Sequence, residues 1–218
     1  MVPVFPLPGV VFFPSAVLPL HIFEPRYRQM VRDSLDGERV IAMALLKPGW
    51  EANYGGRPEV FPVGCLGKIE AVEKLADGRF NLALAGLCRV EFTEFLDELP
   101  YRMARIRRLP EPTAEPRDRG LRDHELELLA AFSSYHAAIS NQGEPPSVAV
   151  NPGIPFAVLV NSLCLHAEVP AVEKQRLLEI ANVEERCVAL TRLLTRLLDD
   201  AIGKGDVDRG APSGVSIN

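Results

Sequence analysis

No stretch of this 218-residue chain approaches the roughly 20 consecutive apolar residues that a membrane-spanning helix needs, so it does not read as a membrane protein. The N-terminus has no basic region ahead of an apolar run, and its first apolar residues are interrupted by Pro3, Pro6 and Pro8, which argues against a secretory leader. The cytoplasm is the expected location. Closely spaced cysteines are missing too: Cys65, Cys88, Cys164 and Cys187 stand far apart, each beside apolar residues, which favours buried reduced thiols over zinc ligands or disulfides. There is no excess of positive charge either. The net charge of −5 gives no general attraction to nucleic acid or anionic lipid.

Catalytic signatures are absent as well. No Gly-x-x-x-x-Gly-Lys-Ser/Thr phosphate loop occurs, and Gly203-Lys-Gly205 follows no strand. Ser133 and Ser134 precede His136, but adjacent positions do not share a helix face and no orienting acid stands out. The carboxylates Glu70/Glu73 and Glu125/Glu127 read as solvated faces, and His21, His124, His136 and His166 are scattered. No catalytic constellation, cofactor site or metal site is expected.

What remains is an ordinary globular composition, 47% hydrophobic and 24% charged, long enough for a substantial core. Strand patterns dominate up to about residue 110. Val17–Phe23 reads as a mostly buried strand, and Val40–Leu46 as another. Gly64–Leu75 and Arg79–Val90 flank Asp77-Gly78, a tight-hairpin signal. In the second arm Phe80, Leu82 and Leu84 alternate with Asn81, Ala83 and Ala85 to mark the core face. Gly64, Gly67 and Gly86 inside these runs suggest bulges or sharp bends. Tyr101–Leu109 completes the strands, and periodicity alone supports a compact antiparallel sheet. Residues 111–117 form a stiff Pro-rich linker.

A helical period follows over 118–202. Leu121, Leu128, Ala131 or Phe132, and Tyr135 share one face, and a long loop spans Asn141–Gly153. Pro155–His166 is apolar nearly all round, Ala171–Ile180 forms a third helix, and Asn182 caps a fourth. In that last helix Cys187, Leu190, Leu194, Leu197 and Ala201 make a packing seam. Residues 203–218 are expected to be a flexible tail.

One segment is more specific than the rest: Leu18-Pro-Leu-His-Ile-Phe-Glu-Pro-Arg-Tyr-Arg-Gln-Met-Val-Arg-Asp-Ser-Leu35. Pro25 suits the first turn of a helix, and Glu24 lies at its positive end within reach of Arg28. Tyr27, Met30, Val31, Ser34 and Leu35 fall on one face, with Arg26, Gln29, Arg32 and Asp33 left for water, and Gly37 suits a left-handed cap. This segment resembles the signature of the Lon N-terminal domain, the substrate-binding module of the ATP-dependent Lon proteases. The likeness extends to Phe5–Pro14, Val63–Glu70, Asp77-Gly78, Gly86–Val90, Glu173–Leu178 and Glu185-Arg186, in the family's order over about residues 1–200.

The resemblance implies an α+β fold, a PUA-like β pseudo-barrel followed by a C-terminal helical bundle. It implies that Glu24, Pro25, Arg26, Tyr27, Arg28, Gly64, Gly86 and Arg89 are signature residues with structural roles. It also implies a non-catalytic binder of unfolded or hydrophobic polypeptide, or of a partner protein, acting as an adaptor or weak chaperone. The binding face is expected where barrel and helices meet, or at a sheet edge. The family's ATPase half is missing, and its serine–lysine protease half does not fit in this length. The alternatives are an RNA-binding PUA-like protein, for which Arg102, Arg105, Arg107 and Arg108 form the densest basic run, or an enzyme of unrecognised type. Alternation sends those arginines to opposite faces beside Glu91, Glu94, Asp97 and Glu98, so a cross-strand ion-pair lattice is the expected role and nucleic acid is not.

Overall fold

The chain from Val2 to Arg108 folds as strands β1 (Val2–Leu7), β2 (Val17–Ile22), β3 (Val40–Leu45), β4 (Val63–Lys74), β5 (Phe80–Leu96) and β6 (Arg102–Arg108), with helix α1 (Pro25–Asp36) between β2 and β3. A short 3-10 turn, Trp50–Asn53, follows β3. Helices α2 (Arg119–Ile139), α3 (Phe156–His166), α4 (Ala171–Glu179) and α5 (Val183–Arg209) follow. The computed structural model describes residues 1–53, 55–96, 99–112, 119–139 and 154–209, with side chains for all of these except 119–120 and 202–209. The expected Asn141–Gly153 loop, residues 113–117 of the linker and residues 210–218 of the tail lie outside the described residues.

The strands run β2-β5-β4-β3-β1-β6, and a further β5–β6 pairing closes the last five into a ring. Closure depends on the length of β5. Its first half pairs with β2 and with the end of β4, and its second half with the start of β4 and with β6. Register shifts at Leu66/Gly67 and Ile69/Ala71 bend the β4–β5 ladder, as a small ring requires. The antiparallel expectation fails at one pair. β1 and β3 are parallel, because β2 and α1 supply the crossover that parallel neighbours need.

Strand β2 is not the buried segment that its apolar residues suggest. It pairs with β5 alone, so Val17 is 54% exposed and Phe23, just beyond it, 60%; only Ile22 is fully covered. Pro19 lies in this edge strand, where a missing N–H breaks no ladder on the outer side. The β4–β5 hairpin also departs from a two-residue turn. Leu75 and Arg79 still pair, the Gly78 N–H closes onto the Leu75 carbonyl at 2.9 Å, and only Gly78 has positive φ (81°). This is a three-residue loop with glycine in the left-handed position.

In the helical part the expected faces are largely buried: Leu121, Leu128, Phe132 and Tyr135 on α2; Leu159, Val160, Leu163 and Cys164 on α3; Cys187, Leu190 and Leu194 on α5, whose Leu197 and Ala201 are half-buried. Asn182 caps α5, its side-chain oxygen accepting the N–H groups of Glu184 (2.8 Å) and Glu185 (3.2 Å). That helix runs to Arg209, past the expected end at 202. Gly203 and Gly205 weaken a helix by only about 1 kcal/mol each relative to alanine and do not stop it as proline would. One continuous core joins residues from the β-strands, α1 and α2–α5. The alternate faces of β1 and β3 (Val2, Val4, Ala42, Ala44) build a second, smaller core with Val90, Phe92 and Ala104.

All four thiols are free. Cys65, Cys164 and Cys187 are buried, whereas Cys88 is half-buried, unlike the expectation for all four. Burial pushes Cys65 well above the ordinary thiol range, and Cys164 and Cys187 up to about 12. The folded state therefore keeps protons that the unfolded chain releases above about pH 8.5. Stability should be unaffected by these groups below that pH and should fall as pH rises toward 12, by up to about 1.4 kcal/mol per pH unit per thiol. Urea melts between pH 7 and 10.5 will show this decline, and it should be shallower in a Cys164→Ala, Cys187→Ala variant.

Candidate functional site

The signature helix begins where the extended backbone of Glu24 (φ −65°, ψ 136°) meets Pro25 at the first helical position. The Glu24 carbonyl accepts the N–H groups of Tyr27 (3.1 Å) and Arg28 (2.9 Å). Its carboxylate pairs with Arg26 at 3.0 Å, not with Arg28 as the spacing suggests. Arg28 turns instead to the β4–β5 hairpin, where its guanidinium fills the space beside Gly78. There Asp77 titrates below its ordinary value, chiefly through the Arg79 N–H, with the Arg79 and Arg28 charges adding.

Tyr27, Met30, Val31 and Ser34 are buried and Leu35 is half-buried, as the helical spacing predicts. Tyr27 packs on Phe5 with ring centroids 4.5 Å apart, and the Arg26 guanidinium lies 4.6 Å above its ring. Asp33 is not left to water. It accepts the Tyr101 hydroxyl at 2.7 Å and the Gln29 amide at 2.6 Å, tying α1 to the approach of β6. Burial and this carboxylate push the Tyr101 phenol well above its usual range. The cap expectation for Gly37 also fails. Gly37 has φ −114°, and the left-handed residue is Arg39 (φ 61°), whose N–H returns to the Ser34 carbonyl at 2.9 Å.

A cleft of about 270 Å³ opens beside this corner, lined in part by Arg26, Tyr27, Arg57, Pro58, Tyr101 and Arg102. Its guanidiniums are committed to structure. Arg57 donates to the Leu99 carbonyl (3.0 Å) and Arg102 to the Pro58 carbonyl (2.5 Å), so they hold the loop before β4 against the start of β6.

The glycine signature residues sit where chains cross closely. A Cβ on Gly64 would strike the Met43 carbonyl and the Phe92 ring, and one on Gly86 the Phe13 carbonyl and Pro14. Gly86 also exchanges hydrogen bonds with the Pro14 turn, donating to Ala16 (2.8 Å) and accepting from Ser15 (2.9 Å).

Arg89 is the most consequential of the group. Only 2% exposed, it reaches from β5 to the end of α4 and donates to the carbonyls of Leu178 (2.8 Å), Glu179 (3.2 Å), Ile180 (3.1 Å) and Pro110 (2.9 Å). Beside it lies Arg186 of α5, with no exposed surface. It donates to Leu177 (3.0 Å) and Ile180 (2.6 Å) and contacts the side chains of Glu111 and Asn161. Glu111 also lies 4.0 Å from Arg89. Two buried cations thus converge on one carboxylate and on the negative end of α4. Nearby, the Gln175 amide donates to the Val63 carbonyl of β4 at 2.9 Å.

The sequence reading passed over Glu111 and Asn161 and gave Gln175 and Arg186 only as part of the family likeness, without a role. Arg186 carried a signal. It stands three residues after Val183 and four before Leu190, on the buried stripe of α5, where an unpaired cation would be very costly.

On β6, Arg105 pairs with Glu94 at 2.8 Å and Arg107 with Glu91, the cross-strand lattice that the alternation predicts. Ser133 and Ser134 are exposed on α2, and among the described residues no three His, Cys, Asp or Glu side chains gather as a metal site.

Comparison with known proteins places this geometry. A family model described as the ATP-dependent protease La (LON) substrate-binding domain matches residues 1–196. The chain belongs to this family. It is 27% identical over 202 residues to the Lon protease of Heliobacterium modesticaldum and 26% identical over 201 residues to that of Escherichia coli K12, about 90% of this chain in each case. It spans about a quarter of the length of those proteases (24% and 25%), in their N-terminal part. Among solved structures it resembles the N-terminal domain of the Mycobacterium avium complex Lon protease (TM-score 0.65, 18% identity, 91% of this chain and 98% of that one). It also resembles a Lon N-terminal domain protein from Xanthomonas campestris (TM-score 0.61, 21% identity, 89% and 96%). The shared fold is α+β with a C-terminal helical region. In this Lon-family chain Pro25 and Tyr27 lie at the strand-to-helix corner, and Arg89 spans from the barrel to the end of α4.

Two substitutions test those roles. Tyr27→Ala removes a buried ring and should cost about 3–5 kcal/mol, read from the denaturation midpoint. Arg89→Met takes the guanidinium donor from the Leu178, Glu179 and Pro110 carbonyls, leaves Ile180 to Arg186 alone, and should cost a similar ~3–5 kcal/mol or prevent folding. An unchanged midpoint in either variant would remove that residue from the scaffold.

Proposed function

We propose that this chain is a non-catalytic polypeptide-binding module that recognises exposed apolar or unfolded segments without nucleotide. The observation that carries this reading is the extent of the family match. It covers the substrate-binding domain and about a quarter of the Lon proteases' length. Adaptor and chaperone-like work are both open to such a module.

The fold limits where a peptide can lie. The interior of the joint between barrel and helices is filled by continuous core and by the Arg89–Glu111–Arg186 cluster, so a peptide at that face would lie on its surface. Peptide contacts must come from outer surfaces, of which the β2 edge and the helical grooves are the candidates. RNA binding gains little from Arg105 and Arg107, because both are already paired with glutamates.

Affinity for a flexible segment should be modest, on the order of micromolar, because ordering the peptide costs entropy. Fluorescence anisotropy with labelled unfolded casein should show saturable binding that persists in salt. A generic RNA should not bind, and purified protein should neither hydrolyse ATP nor cleave the casein. Absence of casein binding at tens of micromolar, together with RNA binding lost on raising salt, would overturn the proposal.

A further inference from the structure

We infer that the groove between α4 and α5 receives an acidic, apolar polypeptide segment. The inference rests on the polypeptide-binding reading and narrows it to a site and a class of ligand. The groove, about 390 Å³, is of a size that ligand sites commonly have. Leu177 (3% exposed) and Leu193 (8%) form its floor with the half-buried Ile180 and Ala189. Around this apolar strip stand Arg176, Arg192, Arg196 and Glu173.

The charges do not balance. Glu173 accepts from Arg176 at 2.9 Å and lies 3.9 Å from Arg196, so one carboxylate serves two guanidiniums. Arg192 is exposed and has no hydrogen-bond or ion-pair partner among the described residues. Three cations against one anion leave a local excess of two positive charges, on a chain whose net charge is −5. The excess is graded. Past Ala189 and Arg192 the surface dips between Glu184, Glu185 and Val188, where α5 begins, and Glu184 there lies 3.3 Å from His124. A bound segment therefore meets cations toward Arg196 and carboxylates toward Glu185, which favours one direction of entry.

An apolar floor with a guanidinium rim suits side chains such as Leu or Phe alternating with Asp or Glu. Arginine stems extend the apolar surface while their planar heads hold carboxylates in bidentate geometry. A bare phosphate chain would gain nothing from Leu177 and Leu193. The wall is also rigid, because Arg186 holds the Leu177 and Ile180 carbonyls from behind, and a preformed groove loses less entropy on binding.

The test uses the full chain and three labelled 12-residue peptides with identical Leu, Ile and Phe positions, interleaved with Glu, Gln or Lys. At low salt the Glu peptide should bind roughly tenfold more tightly than the Gln peptide, two exposed ion pairs of ordinary strength. The difference should shrink at high salt as the exposed charges are screened. Arg192→Glu with Arg196→Glu should reverse the order in favour of the Lys peptide, and Ala189→Trp should weaken all three by filling the floor. Urea melts confirm that each variant folds.

Equal binding of the Glu and Gln peptides, unmoved by charge reversal, would overturn the groove and leave the general polypeptide reading intact. Failure of the peptides and of unfolded casein alike would overturn both. Displacement of the Glu peptide by polyuridylate would mark a phosphate site instead. A dimer in sedimentation equilibrium that the double reversal dissociates would mark a self-association surface. Either result refutes the inference.

Discussion

Two buried guanidiniums hold this molecule together. Arg89 and Arg186 both reach the last turn of α4, one from the barrel and one from α5, and between them bond the carbonyls of residues 177 to 180. Taking two cations out of water costs several kcal/mol each, and a single carboxylate, Glu111, cannot offset that alone. The remaining compensation comes from carbonyls that the end of a helix leaves without partners and from the negative end of its dipole. The arrangement works only if β5, the Pro110–Pro112 segment, α3, α4 and α5 all occupy their native places. Five segments far apart in sequence are therefore fixed by one cluster.

The barrel meets a different constraint, that of closing a small ring. β5 must serve two halves of the sheet, so its ladder with β4 shifts register twice. Backbones then pass so near each other that Gly64 and Gly86 have no room for a Cβ, and at Gly67 the Leu84 and Phe12 side chains fill that space. The two devices meet in one strand, since Gly86 anchors the Pro14 turn three residues before Arg89 turns toward the helices. Signature residues scattered over sixty positions thus form a single structural unit.

Filling the interior moves recognition to the surface. Beside β6 and at the α1 corner the charge is internally matched: Glu94 with Arg105, Glu91 with Arg107, Glu24 with Arg26. Against that background the unpaired Arg192 and the apolar floor beneath it stand out, because neither is explained by the packing of α4 on α5.

The sequence by itself determined the local pieces: the Glu24-Pro25 start of α1, its buried face from Tyr27 to Ser34, the core face of β5, the Asn182 cap and the apolar stripes of the helices. Each follows from a period or a capping rule that needs only a few neighbouring residues. The linear order of the signature blocks, and with it the family, was legible for the same reason. Only the tertiary structure decided the rest. An apolar run such as Val17–Phe23 looks buried until it proves to be an edge with no strand beyond it. Glu24 could reach Arg26 or Arg28, and the hairpin took Arg28. The partners of Arg89 lie 21 to 91 residues away along the chain, and a carboxylate shared with Arg186 is fixed by three-dimensional closure, which no local pattern encodes.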